Sequence, residues 1–165
     1  MRHRVPVPVV VVLLLILPLV ATGSAYPTRP ARDARPDPGP ADPDVRELVR
    51  LVNLHRSAKH LGTLRWSNAA ARVALRHSAD MRHRDFFSHT NPDHLSPFDR
   101  LEHAGVRYVR AGENIAYGYR SPEEVLQGWL ESPGHRKNLE NPKYTHHGVG
   151  VAGTMWTHLF LTPPG

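Results

Sequence analysis

Cysteine is absent from this 165-residue chain. That excludes thiol catalysis, zinc–thiolate sites, iron–sulfur ligation and any disulfide framework, so the fold must be held by its core alone. Also missing are a His-Glu-x-x-His helix, a Gly-x-Ser-x-Gly elbow, a phosphate loop and a dinucleotide fingerprint. No internal repeat is visible. Lys and Arg are scattered, and around Arg82 and Arg84 they alternate with His and Asp, which is not the pattern of a nucleic-acid module. A nucleic-acid partner is therefore not expected.

Acidic residues are missing before residue 26, and large apolar residues are scarce from Tyr26 to Pro43. The first absence belongs to a secretory signal over residues 1–25. Arg2, His3 and Arg4 form a basic start, Val5 to Val20 an apolar run, and Gly23 and Ala25 suit the −3 and −1 positions of a cleavage site. A retained anchor is the alternative, but a run of about sixteen residues is short for a span. After cleavage no membrane span is expected and the protein is secreted. Losing Arg2 and Arg4 takes the formal charge from +6 to +4. The second absence makes residues 26–43 a Pro-rich, disordered linker that cannot bury enough surface to order itself. Residues 44–165 then form one domain, long enough for a single core.

Within that domain the helix starts are well marked. Asp42 caps and Pro43 opens a first helix with Val45, Leu48, Val49 and Val52 on one face, and Gly62 is a candidate C-cap. Leu64-Arg65-Trp66 is a short extended link. Ser67 caps a second helix to about Arg84, with His77 among its apolar positions as a hydrogen-bonded core histidine. Ser96-Pro97-Phe98-Asp99 and Ser121-Pro122-Glu123-Glu124 each carry a capping serine, a proline and an acid. The first of these helices ends near Gly105 and the second runs to Pro133. Val106 to Val109 reads as a strand. Thr145 to Ala152 and Met155 to Leu161 read as two more, turned at Gly153-Thr154, with His158 on a packed face between Trp156 and Phe160. Helices early and an antiparallel sheet later predict an α+β domain.

Three polar residues stand in distinctive frames: His89 in Phe86-Phe87-Ser88-His89-Thr90, Glu113 in Gly112-Glu113-Asn114-Ile115-Ala116, and His135 in Ser132-Pro133-Gly134-His135-Arg136. Imidazole and carboxylate bind divalent metals or move protons near neutral pH. Each sits beside a turn former or a helix start, which predicts a surface cleft. Ser88 precedes His89, but neighbours in an extended chain point to opposite sides and need not form a nucleophile–base pair. Of His146 and His147, one is expected at the surface. Tyr117 and Tyr119, after a turn at Gly112–Ile115, cover an edge or line the cleft.

These frames, with Trp129 ahead of Ser132-Pro133-Gly134-His135-Arg136 and with Gly148-Val149-Gly150-Val151-Ala152, resemble the CAP superfamily in its bacterial, cysteine-free form, from about Val45 to Phe160. The resemblance implies a three-layer α-β-α sandwich with a mainly antiparallel central sheet. It also implies a cleft lined by His89, Glu113, Asn114 and His135. The family's second acid would fall at Ser132, whereas Glu131 comes one residue early, about 100° around a helix. Two imidazoles and Glu113 could supply three ligands to zinc or another divalent cation, with water fourth. Three readings stay open for the trio: a polar network joining sheet to loops, divalent-metal binding, and hydrolysis with a carboxylate-oriented histidine as base. As a whole the chain reads as a non-enzymatic extracellular binding module for a lipid or cell-wall polymer. The alternatives are a metal-dependent hydrolase on an extracellular or wall substrate, and a structural wall- or spore-associated protein.

Overall fold

A computed structural model describes residues 39–165. The expected signal at 1–25 and residues 26–38 of the expected linker lie outside the described residues. The first helix, α1 (Pro43–Ala58), starts where Asp42 accepts the N–H groups of Asp44 and Val45, each at 3.0 Å. It ends four residues before Gly62, which is not its cap. His60 instead takes the left-handed turn position (φ 56), with its own N–H on Ser57 and that of Leu61 on Arg56. Val45, Leu48 and Val52 are buried, as expected from their spacing, and Arg56 is buried with them.

The strand β1 (Arg65–Trp66) leads to α2 (Asn68–His83), capped by Ser67. A reciprocal capping box between Ser96 and Asp99 opens α3 (Pro97–His103). Next comes β2 (Arg110–Tyr117), then α4 (Pro122–Glu131) and α5 (Pro133–Leu139). The chain finishes with β3 (His146–Ala152) and β4 (Met155–Thr162), joined by the predicted turn at Gly153. Two expectations need correcting here. Val106–Val109 is not a strand, and Gly112–Ile115 is not a turn: β2 starts at Arg110 and contains the whole Gly-Glu-Asn-Ile segment. The cause is tertiary, since all eight residues from Arg110 to Tyr117 pair in register with β4. In addition, α5 was not expected, because Pro133 reads as a stop for α4 although it also suits the first position of a new helix.

The sheet order is β1-β3-β4-β2. β4 runs antiparallel to β2 and β3, and β1 lies parallel to β3, so the sheet is mixed and mainly antiparallel. Alternation on β4 splits the core in two. Trp156 and Phe160 pack with Leu48 and Val52 of α1, Val125 and Trp129 of α4 and Leu139 of α5. Leu159 and Leu161 pack with Val73 and Ala74 of α2 and Leu101 of α3. That makes the three layers of the expected sandwich, with β2 as one edge of its middle layer.

The Gly-Val-Gly-Val segment explains how closely α2 lies on β3. A Cβ on Gly148 or Gly150 would come within 3.0 Å of the backbone of Ala71 or Leu75. Gly150→Ala is therefore expected to destabilise the fold by about 1–3 kcal/mol, the usual cost of overpacking. Urea denaturation measures it; a loss under about 0.5 kcal/mol would mean that α2 can lift from the sheet freely.

Candidate functional site

Glu113 occupies the α2/α3 face of β2 and its side chain is only 2% exposed. Both carboxylate oxygens are used. Arg100 of α3 donates Nη2–H to Oε2 at 2.7 Å, and Nδ1 of His89 lies 2.9 Å from Oε1. A carboxylate only accepts, so Nδ1 of His89 carries a proton and donates to Glu113, which leaves Nε2 as the ring nitrogen outside that bond. His89 itself is 36% exposed. Arg100 also holds the His89 segment through Nη1, which donates to the carbonyls of His89 (2.7 Å) and Leu95 (2.9 Å). The arrangement is a relay, Arg100–Glu113–His89, with the imidazole at its surface end. Sequence reasoning expected Glu113 at the surface and missed Arg100. The only available signal was its place one residue after the capping box, which does not announce a partner on β2.

Asn114, next along the strand, points to the opposite face and is fully buried. Its Nδ2 donates to the carbonyl of His135 at 3.1 Å, while Asn138 donates to Asn114 Oδ1 at 2.8 Å and to the Glu113 carbonyl at 3.2 Å. Asn114 thus fixes α5 to β2 and offers nothing to a ligand directly. His135 comes from that α5 layer, so the two histidines approach the outer edge of β2 from opposite layers. Burial pushes the His135 imidazole below its ordinary range, and the neighbouring His89 adds to the effect.

Of the three expected site residues, His89 and Glu113 are bonded directly, whereas His135 comes from the other layer and is linked to them only through the charge of His89. Among the described residues no three His, Cys, Asp or Glu side chains are grouped so as to hold a metal ion. Each Glu113 oxygen already accepts one bond within the relay, and Glu131 is exposed and accepts from Gln127 at 2.7 Å. The donor set does not fit a three-ligand cation site. Behind the relay, His77 is buried with Nε2 donating to the Ser88 carbonyl at 3.0 Å, the core histidine expected from its position. Burial lowers its pKa, with Arg100 adding to that and Glu113 opposing it. A hollow of about 640 Å³ between α2 and α3 is lined by His77, Asn91, Leu95 and Arg100 but not by His89, Glu113 or His135. It backs the relay and does not contain it.

A second histidine cluster lies in the core. His147 Nδ1 and His158 Nε2 are 3.0 Å apart and both rings are fully buried, His158 on the packed face expected for it, while His146, by elimination the one expected at the surface, is half-buried. Trp129 and Phe160 pack on His158.

Comparison with known proteins places this geometry. The model of the cysteine-rich secretory protein family (CAP) matches residues 49–155, which include every residue of the relay. The chain belongs to that family. Its CAP domain is similar to the uncharacterized protein YkwD of Bacillus subtilis, at 41% identity over 118 residues, 70% of this chain and 46% of that protein. It is similar to the crystal structure of an extracellular SCP-domain protein of Bacillus anthracis, at 38% identity and TM-score 0.71, over 75% of this chain and 45% of that one. The chain thus spans less than half the length of each. An outer surface protein of Borrelia burgdorferi shares the CAP fold at 19% identity and TM-score 0.70, over 79% of this chain and all of that one.

Proposed function

We propose that this CAP domain is an exported, non-catalytic binding module whose ligand meets the protein at His89 and His135, along the outer edge of β2. The observation that carries the reading is the engagement of both Glu113 oxygens by Arg100 and His89. With both oxygens committed, the carboxylate acts as a fixed anchor that presents His89 as a preorganised hydrogen-bonding group. His135, whose pKa burial lowers, adds a second imidazole beside it. Export is supported by the basic and apolar start of the sequence and by the likeness to an extracellular protein of Bacillus anthracis. No helix among the described residues is long and apolar enough to cross a membrane.

The test is retention on purified cell-wall material in about 1 M NaCl, where the screening length falls to about 3 Å. The wild type is expected to stay bound, and His89→Ala or His135→Ala to weaken binding about tenfold with the melting temperature little changed. Complete release of the wild type by that salt would reduce the interaction to charge attraction and end the proposal.

The rival reading is a hydrolase in which His89, oriented by Glu113, acts as general base. It requires turnover of a wall-derived or ester substrate that disappears in Glu113→Gln while the fold survives. Absence of turnover in the wild type across peptide, ester and glycan substrates is the expected result.

A further inference from the structure

Two exposed rings lie beside the relay and have no role in the core. Phe87 is 50% and Tyr117 59% exposed, and their centroids are 6.1 Å apart. Phe87 stands two residues before His89 in an extended segment, roughly 7 Å along the chain. Tyr117 lies on β2 at an even spacing from Glu113 and so on the same face. Beyond Tyr117 the N–H of Gly118 donates to the Thr154 carbonyl at 3.1 Å, next to Gly153 in the β3–β4 turn. Arg82, at the end of α2, covers that turn, with its Nε 3.4 Å from where a Cβ on Gly153 would lie. Arg82 is exposed and joins no ion pair among the described residues, whereas Arg84 two positions on is neutralised by Asp80 and Asp93.

We propose that the strip running from His89 through Phe87 and Tyr117 to Arg82 binds an acidic glycan strand. The inference rests on the binding role proposed above and names its ligand class. A pyranose ring presents a face of C–H bonds, whose partial positive charge suits the negative face of an aromatic ring. Its hydroxyl edge needs a fixed polar partner, and Nε2 of His89 stands at one end of the rings. Arg82 at the other end complements a carboxylate on the sugar. A lipid surface would call for a wider continuous apolar patch than two rings bounded by polar groups. A single-stranded nucleic acid would call for a row of cations tracking phosphates, where this strip offers one unpaired arginine.

The experiment is calorimetric titration of the whole mature protein with a GlcNAc–MurNAc tetrasaccharide bearing free lactyl carboxylates. Neutral chitotetraose and phosphatidylglycerol vesicles are the comparators. Phe87→Ala and Tyr117→Ala are each expected to weaken tetrasaccharide binding about tenfold, and Arg82→Gln about threefold. Arg82→Gln should also erase the preference over chitotetraose. Phe98→Ala removes an equally exposed ring paired with Tyr108, near the far end of β2, and should leave binding unchanged. The glycan assignment is overturned if the wild type ignores the tetrasaccharide, if vesicles bind more tightly than it does, or if Phe87→Ala and Tyr117→Ala both bind like wild type. In those cases wall retention that still depends on His89 leaves the binding role standing, so the two failures are separable.

Discussion

Arg100→Met is expected to destabilise the folded protein by about 3 kcal/mol, the low end of what breaking a buried ion pair costs. Arg100 and Glu113 are 9% and 2% exposed, so neither is screened by water as a surface pair would be. The methionine keeps much of the side-chain volume but strands the Glu113 carboxylate with His89 as its remaining partner. It also abandons the carbonyls of His89 and Leu95, which lose the Nη1 donor. Chemical denaturation at neutral pH measures the effect. The double variant Arg100→Met/Glu113→Leu should be less destabilised than the sum of the two single changes, since no buried charge is then left without its partner. It should still fall short of wild type, because the His89 carbonyl loses its donor and that of Leu95 keeps only the Asn91 N–H. A single change that costs under about 1 kcal/mol would show that water reaches Glu113 and that the relay is not a buried device.

Acid is expected to unfold this protein through its core histidines. Burial drives His147 down to about 3, with Arg56 and His146 adding to the effect, and drives His158 well below its ordinary value, with His147 and Arg56 adding to it. The unfolded chain takes up protons on these rings near pH 6.5, while the folded chain does not until far lower. Stability from the pair is therefore full above about pH 6.5 and is lost as the pH falls, levelling off only near the folded value, about 3 for His147. Each ring contributes a slope of about 1.4 kcal/mol per pH unit in that window. His77 and His135, also lowered, act in the same direction. Urea midpoints measured from pH 7 to pH 5 should fall steeply, and His158→Gln should remove part of the slope. A flat profile over that range would mean that the rings are hydrated. Whichever ring donates in the His147–His158 bond, one N–H and one lone pair remain without a partner, which adds to the cost of this core.

Legibility from sequence followed locality. Helix starts at Asp42, Ser67, Ser96 and Ser121 were readable because a cap and the N–H it accepts lie within three residues. The β3–β4 hairpin was readable for the same reason. The end of α1 was not, because His60 adopts a conformation usually left to glycine and Arg56 draws the chain back by donating to the Gly62 carbonyl. β2 was displaced in the reading because Gly112, Glu113 and Asn114 are poor strand formers alone, and only pairing with Phe160, Leu159 and His158 makes them one. His89, Glu113 and His135 stood out in the sequence through their frames. Their division of labour was hidden, since Arg100 and Asn138 decide it from elsewhere in the chain.

Arg56 has a consequence for how the protein is made. Its guanidinium donates to the carbonyls of Leu139 and Asn141, partners 83 and 85 residues further along, as well as to Gly62 nearby. A nascent chain emerging from the ribosome cannot seat this cation until the last third of the domain has been synthesised. The amino-terminal helix must wait, formed or fraying, for carboxyl-terminal residues to close over it, so partial products should be captured by chaperones or degraded rather than accumulate as stable fragments.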